Sequence, residues 1–295
     1  INADRIGLTK KVAVGIEGDA AKVARGILAQ LSGTAGDEGR QARRDLISQT
    51  KSRWAQELSS LDHEQDDPGT VWNEEARARD AGLMSPRQAW RAIQAAVPAD
   101  AIISSDIGNN CAIGNAYPAF EQGRKYLAPG LFGPCGYGFP SILGAKIGCP
   151  DTPVIGFAGD GAFGISMNEM TACGREDWPA ITMVIFRNYQ WGAEKRNTTL
   201  WYDNNFVGTE LDRETSYAGI ARACGAHGVQ VRSTEELTEA LRAAVDRQMK
   251  AKETTFIEVL LNQELGEPFR RDAMKKPVVV AGISREDMRP QTGAL

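Results

Sequence analysis

The chain has 295 residues, 42% of them apolar and 24% charged, with 31 glycines; these globular proportions exclude wholesale disorder and collagen-like repeats. A formal net charge of −4 gives no global basic field to draw in nucleic acid, and the longest apolar run, residues 179–186, falls far short of the ~20 residues of a membrane helix. Five cysteines in odd number, none in a CxxC pair, argue for reduced thiols in the cytoplasm and against a disulfide scaffold or structural zinc, and two histidines rule out a His-rich metal site.

The length fits one large domain or two ordinary ones. The first residue is Ile1 and no leader pattern precedes the ordered-looking sequence, so the chain is expected to start inside a longer polypeptide. Residues 11–16 (KVAVGI) read as a short buried strand, and Gly18-Asp19 opens a helix over 20–31. One strand and one helix bury no core alone, so residues 1–32 are expected to end a preceding domain. Residues 33–39 (GTAGDEG) form a linker. Residues 38–61 read as a helix packed on the domain surface through a stripe of Ile47, Trp54, Leu58 and Leu61. Residues 62–69 (DHEQDDPG) make an acidic turn in which His63 is solvated. Linker and surface helix together span 33–80.

Regular alternation starts at Ser85. Ser85-Pro86 places an N-cap before a proline at the first helical position, so a helix runs over 85–97. Strands follow at 101–105 (AIISS), 153–158 (PVIGFA) and 181–186 (ITMVIF). Ser166 and Glu169 are spaced as a capping box for the helix after the second strand. A helix at 217–224, a strand at 229–231 and a helix at 233–249, with Leu237, Leu241, Ala244, Val245 and Met249 inward, lead to the strand 256–261 (FIEVLL). His227, beside a helix–strand turn, reads as structural. Apolar, unalternating strands separated by helices predict an α/β fold, a parallel sheet flanked by helices on both faces.

Ligands of such sheets bind at the carboxyl ends of the strands. Those ends carry Asp106-Ile107-Gly108-Asn109-Asn110, Gly159-Asp160-Gly161 and Arg187-Asn188-Tyr189-Gln190. Residues 159–164 (GDGAFG) match the dinucleotide pattern G-x-G-x-x-G. Two features speak against a dinucleotide. Asp160 puts a carboxylate where a pyrophosphate would come closest, and the next strand ends in Asn188 rather than in a ribose-gripping acid. A cation resolves the first conflict, because Mg²⁺ takes hard oxygen ligands and bridges carboxylate to phosphate. Asp160, the Asn188 amide oxygen and the Gln190 backbone carbonyl form the candidate metal set. The glycines let backbone N–H groups approach a phosphate at a helix start. The alternative is a tight turn with a solvated Asp.

The spacing from Gly159-Asp160-Gly161 to Asn188 resembles the metal and diphosphate motif of thiamine diphosphate (ThDP) enzymes, over residues 85–262. The resemblance implies that residues 81–275 are the ThDP- and Mg²⁺-binding domain, residues 1–32 the end of the family's central domain, and 276–295 a tail. It implies cofactor contacts from Asp106, Gly108, Asn109, Asn110, Gly159, Asp160, Gly161, Ala162 and Asn188. Gly133 would offer its carbonyl to the aminopyrimidine, and Cys135 stands where relatives place a larger wedge under the thiazolium; an inert core thiol is the alternative for Cys135. The family's pyrimidine-binding domain, with its activating glutamate, is not in this sequence, so no catalytic residue is assigned.

Residues 109–117, 132–146, 189–197 and 264–273 further resemble the sulfoacetaldehyde acetyltransferases, enzymes of taurine and sulfonate breakdown. That implies conversion of sulfoacetaldehyde and inorganic phosphate to acetyl phosphate and sulfite, with ThDP and Mg²⁺ and without flavin. It also implies a homo-oligomer, dimer or tetramer, with the active site between subunits. Sulfonate and phosphate call for cationic donors. Arg270 and Arg271 are the first candidates, against a surface salt bridge with Asp272 or Glu267, and Lys195-Arg196 are the second, against a solvated loop. Acetolactate synthase, pyruvate oxidase and a noncatalytic Mg²⁺–diphosphate module remain the alternatives for the whole.

Overall fold

The computed structural model of the chain describes residues 6, 12–31, 37–63, 74–120, 125–130, 132–202 and 204–265. It divides into two compact units, Ile1–Ser60 and Leu61–Leu295. In the first, residues 12–16 belong to no strand, and Val12, Val14 and Ile16 are exposed. The buried strand expected at 11–16 is therefore absent over its described residues: a β-branched run needs a ladder partner, and it pairs with nothing there. Helix α1 (Ala20–Leu31) forms as expected, and it buries none of its residues. Helix α2 (Asp37–His63) takes up the end of the expected linker and the start of the expected acidic turn, Asp62-His63. On its expected stripe Leu58 is buried, whereas Ile47 and Trp54 are exposed. The rest of the linker and of the 62–69 turn lies outside the described residues.

The second unit opens with α3 (Glu74–Arg79) and α4 (Pro86–Ala96). The start of α4 is fixed locally: the Ser85 hydroxyl accepts from Gln88 N, the Gln88 side chain accepts from Ser85 N, and Pro86 supplies a helical φ without needing a donor partner. The strands are β1 (Ile102–Ser105), β2 (Tyr126–Leu127), β3 (Val154–Gly159), β4 (Thr182–Arg187), β5 (His227–Val231) and β6 (Thr255–Leu260). All pairings are parallel, in the order β2-β1-β3-β4-β6-β5. The short strand β2 and the helices α5 (Asn109–Gly114), α6 (Gly138–Gly148) and α8 (Gly192–Trp201) add to the elements read from the sequence.

Side chains from alternate strand positions enter two apolar layers. Ile102, Val154, Met183, Ile185 and Phe256 pack with Phe139 and Ile142 of α6, Phe163 of α7 (Asp160–Ser166), and Tyr217 and Ala221 of α9 (Tyr217–Ala223). On the other face Trp90 of α4 packs in tilted contact against Phe157 and Phe186 at centroid distances of 4.7 and 5.3 Å. Leu237, Leu241 and Ala244 of α10 (Thr234–Asp246) are fully buried beside it. The covered parallel sheet matches the expected α/β architecture, and the central strands are mostly apolar on both faces because both faces are buried.

Two local expectations fail for local reasons. Ser166 and Glu169 make no capping box. Helix α7 starts directly off β3 with Gly159 as N-cap, so Ser166 is its last residue and the following turn, Met167–Ala172, is 3₁₀. Near the end of α10 a π turn, Arg247–Ala251, shifts the inward face. Gln248 rather than Met249 is fully buried, with Val245 and Met249 half-buried. The Gln248 amide accepts from Val154 N at 2.9 Å and donates to Val154 O at 2.8 Å and Thr182 Oγ1 at 3.1 Å, which extends the ladder at the start of β3. No helix among the described residues is long and apolar enough to cross a membrane. The five cysteines are free thiols.

Candidate functional site

Strands β1, β3 and β4 are neighbours and parallel, so their carboxyl ends meet at one edge. The loops that leave them line a single cleft, walled by Ile107 to Asn110, Gly159 to Ala162, Asn188, Gln190 and Cys135. Three clusters far apart in sequence are thus brought together at the edge where such sheets bind ligands. Trp191 to Glu194, the start of α8, close the cleft; no pattern assigned them a role there. Exposed His227 pairs with Glu253 at 2.8 Å, away from the cleft wall.

The first loop is held from behind. The indole of Trp90 donates to Asn110 O at 2.7 Å. Gly108 takes φ +136°, a conformation that favours glycine, and N-caps α5. Asn109 and Asn110 are 3% and 5% exposed, and Asn109 Oδ1, Asn109 Nδ2 and Asn110 Oδ1 meet no hydrogen-bond partner among the described residues. Buried amides without partners at a cleft wall are costly unless a polar ligand completes them.

Asp106 serves the same site indirectly. Its Oδ1 accepts from Ile107 N at 2.8 Å and Gly136 N at 3.0 Å, and its Oδ2 from Gly138 N at 2.6 Å. It buckles the β1 loop to the segment that carries Gly133 and Cys135. Burial raises its pKa, and the backbone donors work against the rise. Gly133 lies in a left-handed turn at φ +65°. Half-buried Cys135 lines the cleft. Burial and the neighbouring charges of Asp106 and Glu194 push its thiol up.

Asp160 is 1% exposed at the first position of α7. Its Oδ2 accepts from Tyr189 N at 2.7 Å and lies 3.3 Å from Arg187 Nη1; its Oδ1 accepts from Gly161 N at 3.0 Å. Burial raises its carboxyl to about 6, against the opposing effects of Arg187 and the two backbone donors. Arg187 ends the mostly apolar strand β4 and is buried. Its Nε lies 3.7 Å from Glu258 Oε1 of β6, and its Nη2 donates to the carbonyls of Asp212 and Thr215. Tyr189, between Asn188 and Gln190, has φ +59°. That left-handed backbone costs a non-glycine residue ~1–3 kcal/mol.

A polar network backs the third loop. The Gln190 side chain donates to Gln263 O at 3.0 Å and accepts from Lys195 Nζ at 2.9 Å. Gln263 donates to Asn188 O at 3.2 Å and to Glu210 Oε2 at 3.1 Å. Lys195 also pairs with Glu210, and Arg196 donates to Leu265 O. Both residues lie in α8 and Lys195 is 4% exposed, so the solvated-loop alternative fails for it. Its ammonium is neutralised by Glu210, which weakens the case for Lys195 as an anion ligand. Arg270 and Arg271 lie outside the described residues.

The donor set suits a hard cation bound to phosphate. Asp160, Asn188 and Gln190 line the same cleft and offer a carboxylate, an amide and a carbonyl, the oxygen chemistry Mg²⁺ accepts. Among the described residues no group of three or more His, Cys, Asp and Glu is placed to hold a metal, so a metal here draws on this mixed set. Gly161 admits the close approach of Trp191: a Cβ there would lie 2.9 Å from the indole.

Residues 106–259 match the family model described as thiamine pyrophosphate enzyme, C-terminal TPP binding domain; thiamine pyrophosphate is another name for ThDP. The chain is 74% identical over 291 residues to a probable sulfoacetaldehyde acetyltransferase of Rhizobium meliloti, covering 99% of this chain and 49% of that protein. It is 73% identical over 291 residues to the sulfoacetaldehyde acetyltransferase of Rhodobacter capsulatus, with the same coverage. The chain therefore spans about half the length of the curated relatives it matches. Among solved structures, a thiamine diphosphate-dependent 4-hydroxybenzoylformate decarboxylase from Rhodococcus jostii superposes with a TM-score of 0.57 at 23% identity, over 63% of this chain and 34% of that one; at that identity the likeness speaks for the fold.

Proposed function

The chain belongs to the thiamine diphosphate enzymes through their C-terminal cofactor-binding domain, and from that premise we propose that it is the cofactor-binding half of an acetyltransferase. The proposed reaction converts sulfoacetaldehyde and inorganic phosphate to acetyl phosphate and sulfite, in sulfonate breakdown in the cytoplasm. The observation that carries this reading is the 74% and 73% identity, along 99% of the chain, to proteins named for that activity. Residues 81–275 are the proposed ThDP and Mg²⁺ domain, with 1–32 the end of a central domain, 33–80 a linker and helix, and 276–295 a tail. The pyrimidine-binding domain and its activating glutamate are proposed to come from elsewhere in the protein, in a homo-oligomer, dimer or tetramer, with the active site between subunits.

When bound, ThDP supplies a nucleophilic carbon and an electron sink for two-carbon transfer. The proposed work of this chain is positioning. Asp160, Asn188 and the Gln190 carbonyl hold Mg²⁺. Asn109 and Asn110, with the backbone at Gly108 and at Gly159 to Ala162, receive the diphosphate. The Gly133 carbonyl and Cys135 set the rings, and Asp106 holds their segment in place. Arg270 and Arg271 are the proposed ligands of sulfonate or phosphate, while Lys195, already paired with Glu210, braces Gln190 instead.

The test uses the full-length protein with ThDP and Mg²⁺, supplied with sulfoacetaldehyde and phosphate. Phosphate-dependent release of sulfite together with acetyl phosphate is the expected result. Consumption of pyruvate without sulfite release would move the protein to the acetolactate synthase or pyruvate oxidase type of chemistry. Cofactor binding without turnover of either substrate would make it a noncatalytic diphosphate-binding module.

A further inference from the structure

Tyr189 stands between two proposed metal ligands, Asn188 and Gln190, in a backbone conformation that glycine or asparagine adopts more readily. A bulky residue persists in such a conformation only where its surroundings over-determine it, and here they do. Two guanidiniums lie over the Tyr189 ring, with Arg187 Cζ and Arg213 Cζ each 4.4 Å from its centroid. Each guanidinium is anchored by buried carboxylates: Arg187 by Asp160 at 3.3 Å and Glu258 at 3.7 Å, Arg213 by Asp80 at 3.8 Å. The backbone is fixed as well. Tyr189 N donates to Asp160 Oδ2 at 2.7 Å, and Tyr189 O accepts from Leu211 N at 2.9 Å.

We propose that Tyr189 is a positioning residue for the divalent cation: its ring, gripped by Arg187 and Arg213, holds the left-handed turn that aims Asn188 and Gln190 into the cleft while its N–H orients Asp160. The inference rests on the Mg²⁺–ThDP reading of this site and adds a residue outside the ligand set. It also accounts for Arg213, which is not among the residues that line the cleft. The ring acts through the shape of the loop, so its loss changes cation affinity without removing a ligand.

The test is carried out on the full-length protein, reading ThDP binding by quenching of intrinsic fluorescence as Mg²⁺ is raised, and thermal unfolding without cofactor. Tyr189→Phe keeps the ring and is expected to hold the Mg²⁺ half-saturation within about twofold of the wild type. Tyr189→Leu loses both cation–π contacts and is expected to raise it ~10-fold. Arg213→Met, which spares the loop sequence and serves if the Leu variant does not fold, is expected to raise it ~3-fold. A merely structural role would lower the unfolding midpoint and leave the half-saturation in place; an unchanged half-saturation in Tyr189→Leu, or in Arg213→Met where that variant stands in, overturns the proposal. Wild-type protein that binds no ThDP in a Mg²⁺-dependent manner would instead bring down the cofactor reading, and the positioning role with it.

Discussion

Replacing Asp106 by Asn tests whether one carboxylate fastens the two halves of the proposed ThDP site together. Its three bonds run to Ile107 N, Gly136 N and Gly138 N at 2.8, 3.0 and 2.6 Å. An asparagine at this position keeps one acceptor. If its oxygen serves Ile107 and Gly136, its NH₂ faces the Gly138 N–H, donor against donor. Flipping the amide rescues Gly138 and strands the other two. The better arrangement leaves one buried N–H unsatisfied, at ~1–3 kcal/mol, and removes the charge that strengthens the remaining bonds. Part of this is returned, because burial disfavours the ionised carboxylate and raises its pKa. A net loss of ~2 kcal/mol is expected. The loss should fall on the segment carrying Gly133 and Cys135, so ThDP binding weakens as well. Urea unfolding of the cofactor-free protein, with ThDP titration of both forms, measures both effects. An unfolding midpoint and a ThDP affinity equal to the wild type would refute the buckle.

Other perturbations follow from the same geometry. A Cβ at Gly138 would lie 2.9 Å from Phe157 O and 3.1 Å from Asp106 Oδ2, so Gly138→Ala should cost ~1–3 kcal/mol, read as a lowered thermal midpoint. Trp90→Ala removes the two ring contacts and the bond to Asn110 O; a loss of ~3–5 kcal/mol with weaker ThDP binding is expected from denaturation and titration. The carboxyl of Asp160, ordinarily near 3.8, sits at about 6 in the fold. Between these values the folded state carries the extra proton, so this group adds stability to the metal-free protein as pH falls from about 6 toward 4 and withdraws it as pH rises. The proton competes with the cation, so the Mg²⁺ half-saturation should climb ~10-fold per pH unit below about 6, as ThDP titrations across that range would show.

The sheet was legible because its central strands are mostly apolar runs without alternation, the mark of a layer covered on both faces. The strand-end clusters were legible for a related reason: in a parallel sheet every carboxyl end lies at one edge. The residues around them were harder to read. Arg187 closes the run ITMVIF, and Glu258 interrupts FIEVLL; two opposite charges in adjacent buried strands are a signal of pairing, but only the β4–β6 adjacency shows that they meet. Helix α6, apolar nearly all round, offers no amphipathic stripe to read. The run at 11–16 misled because β propensity describes a pleated, half-buried surface and supplies no partner strand. Ser166 misled because the helix had already begun at Asp160, where a strand-to-helix junction through glycine carries no side-chain cap.

The charges behind the cleft favour the proposed cation even though an arginine is already present. Asp160 and Glu258 are each 1% exposed, and the buried cation between them is Arg187. The trio carries a net negative charge with almost no exposed surface, and the rise of Asp160 to about 6 is the mark of a carboxylate whose burial outweighs its compensation. Arg187 is also spread thin, with its Nη2 given to the Asp212 and Thr215 carbonyls and its Nε at ion-pair rather than hydrogen-bond distance from Glu258. It engages one oxygen of Asp160, Oδ2, together with Tyr189 N, and leaves Oδ1 to the N–H of the next residue alone. A divalent ion taking Oδ1 would supply the missing positive charge without displacing the arginine. Arg187→Met should therefore leave Asp160 and Glu258 without the cation between them, at ~3–5 kcal/mol in the metal-free protein. Mg²⁺ with ThDP should restore part of that loss, and a variant whose unfolding midpoint ignored the cation would refute the charge argument.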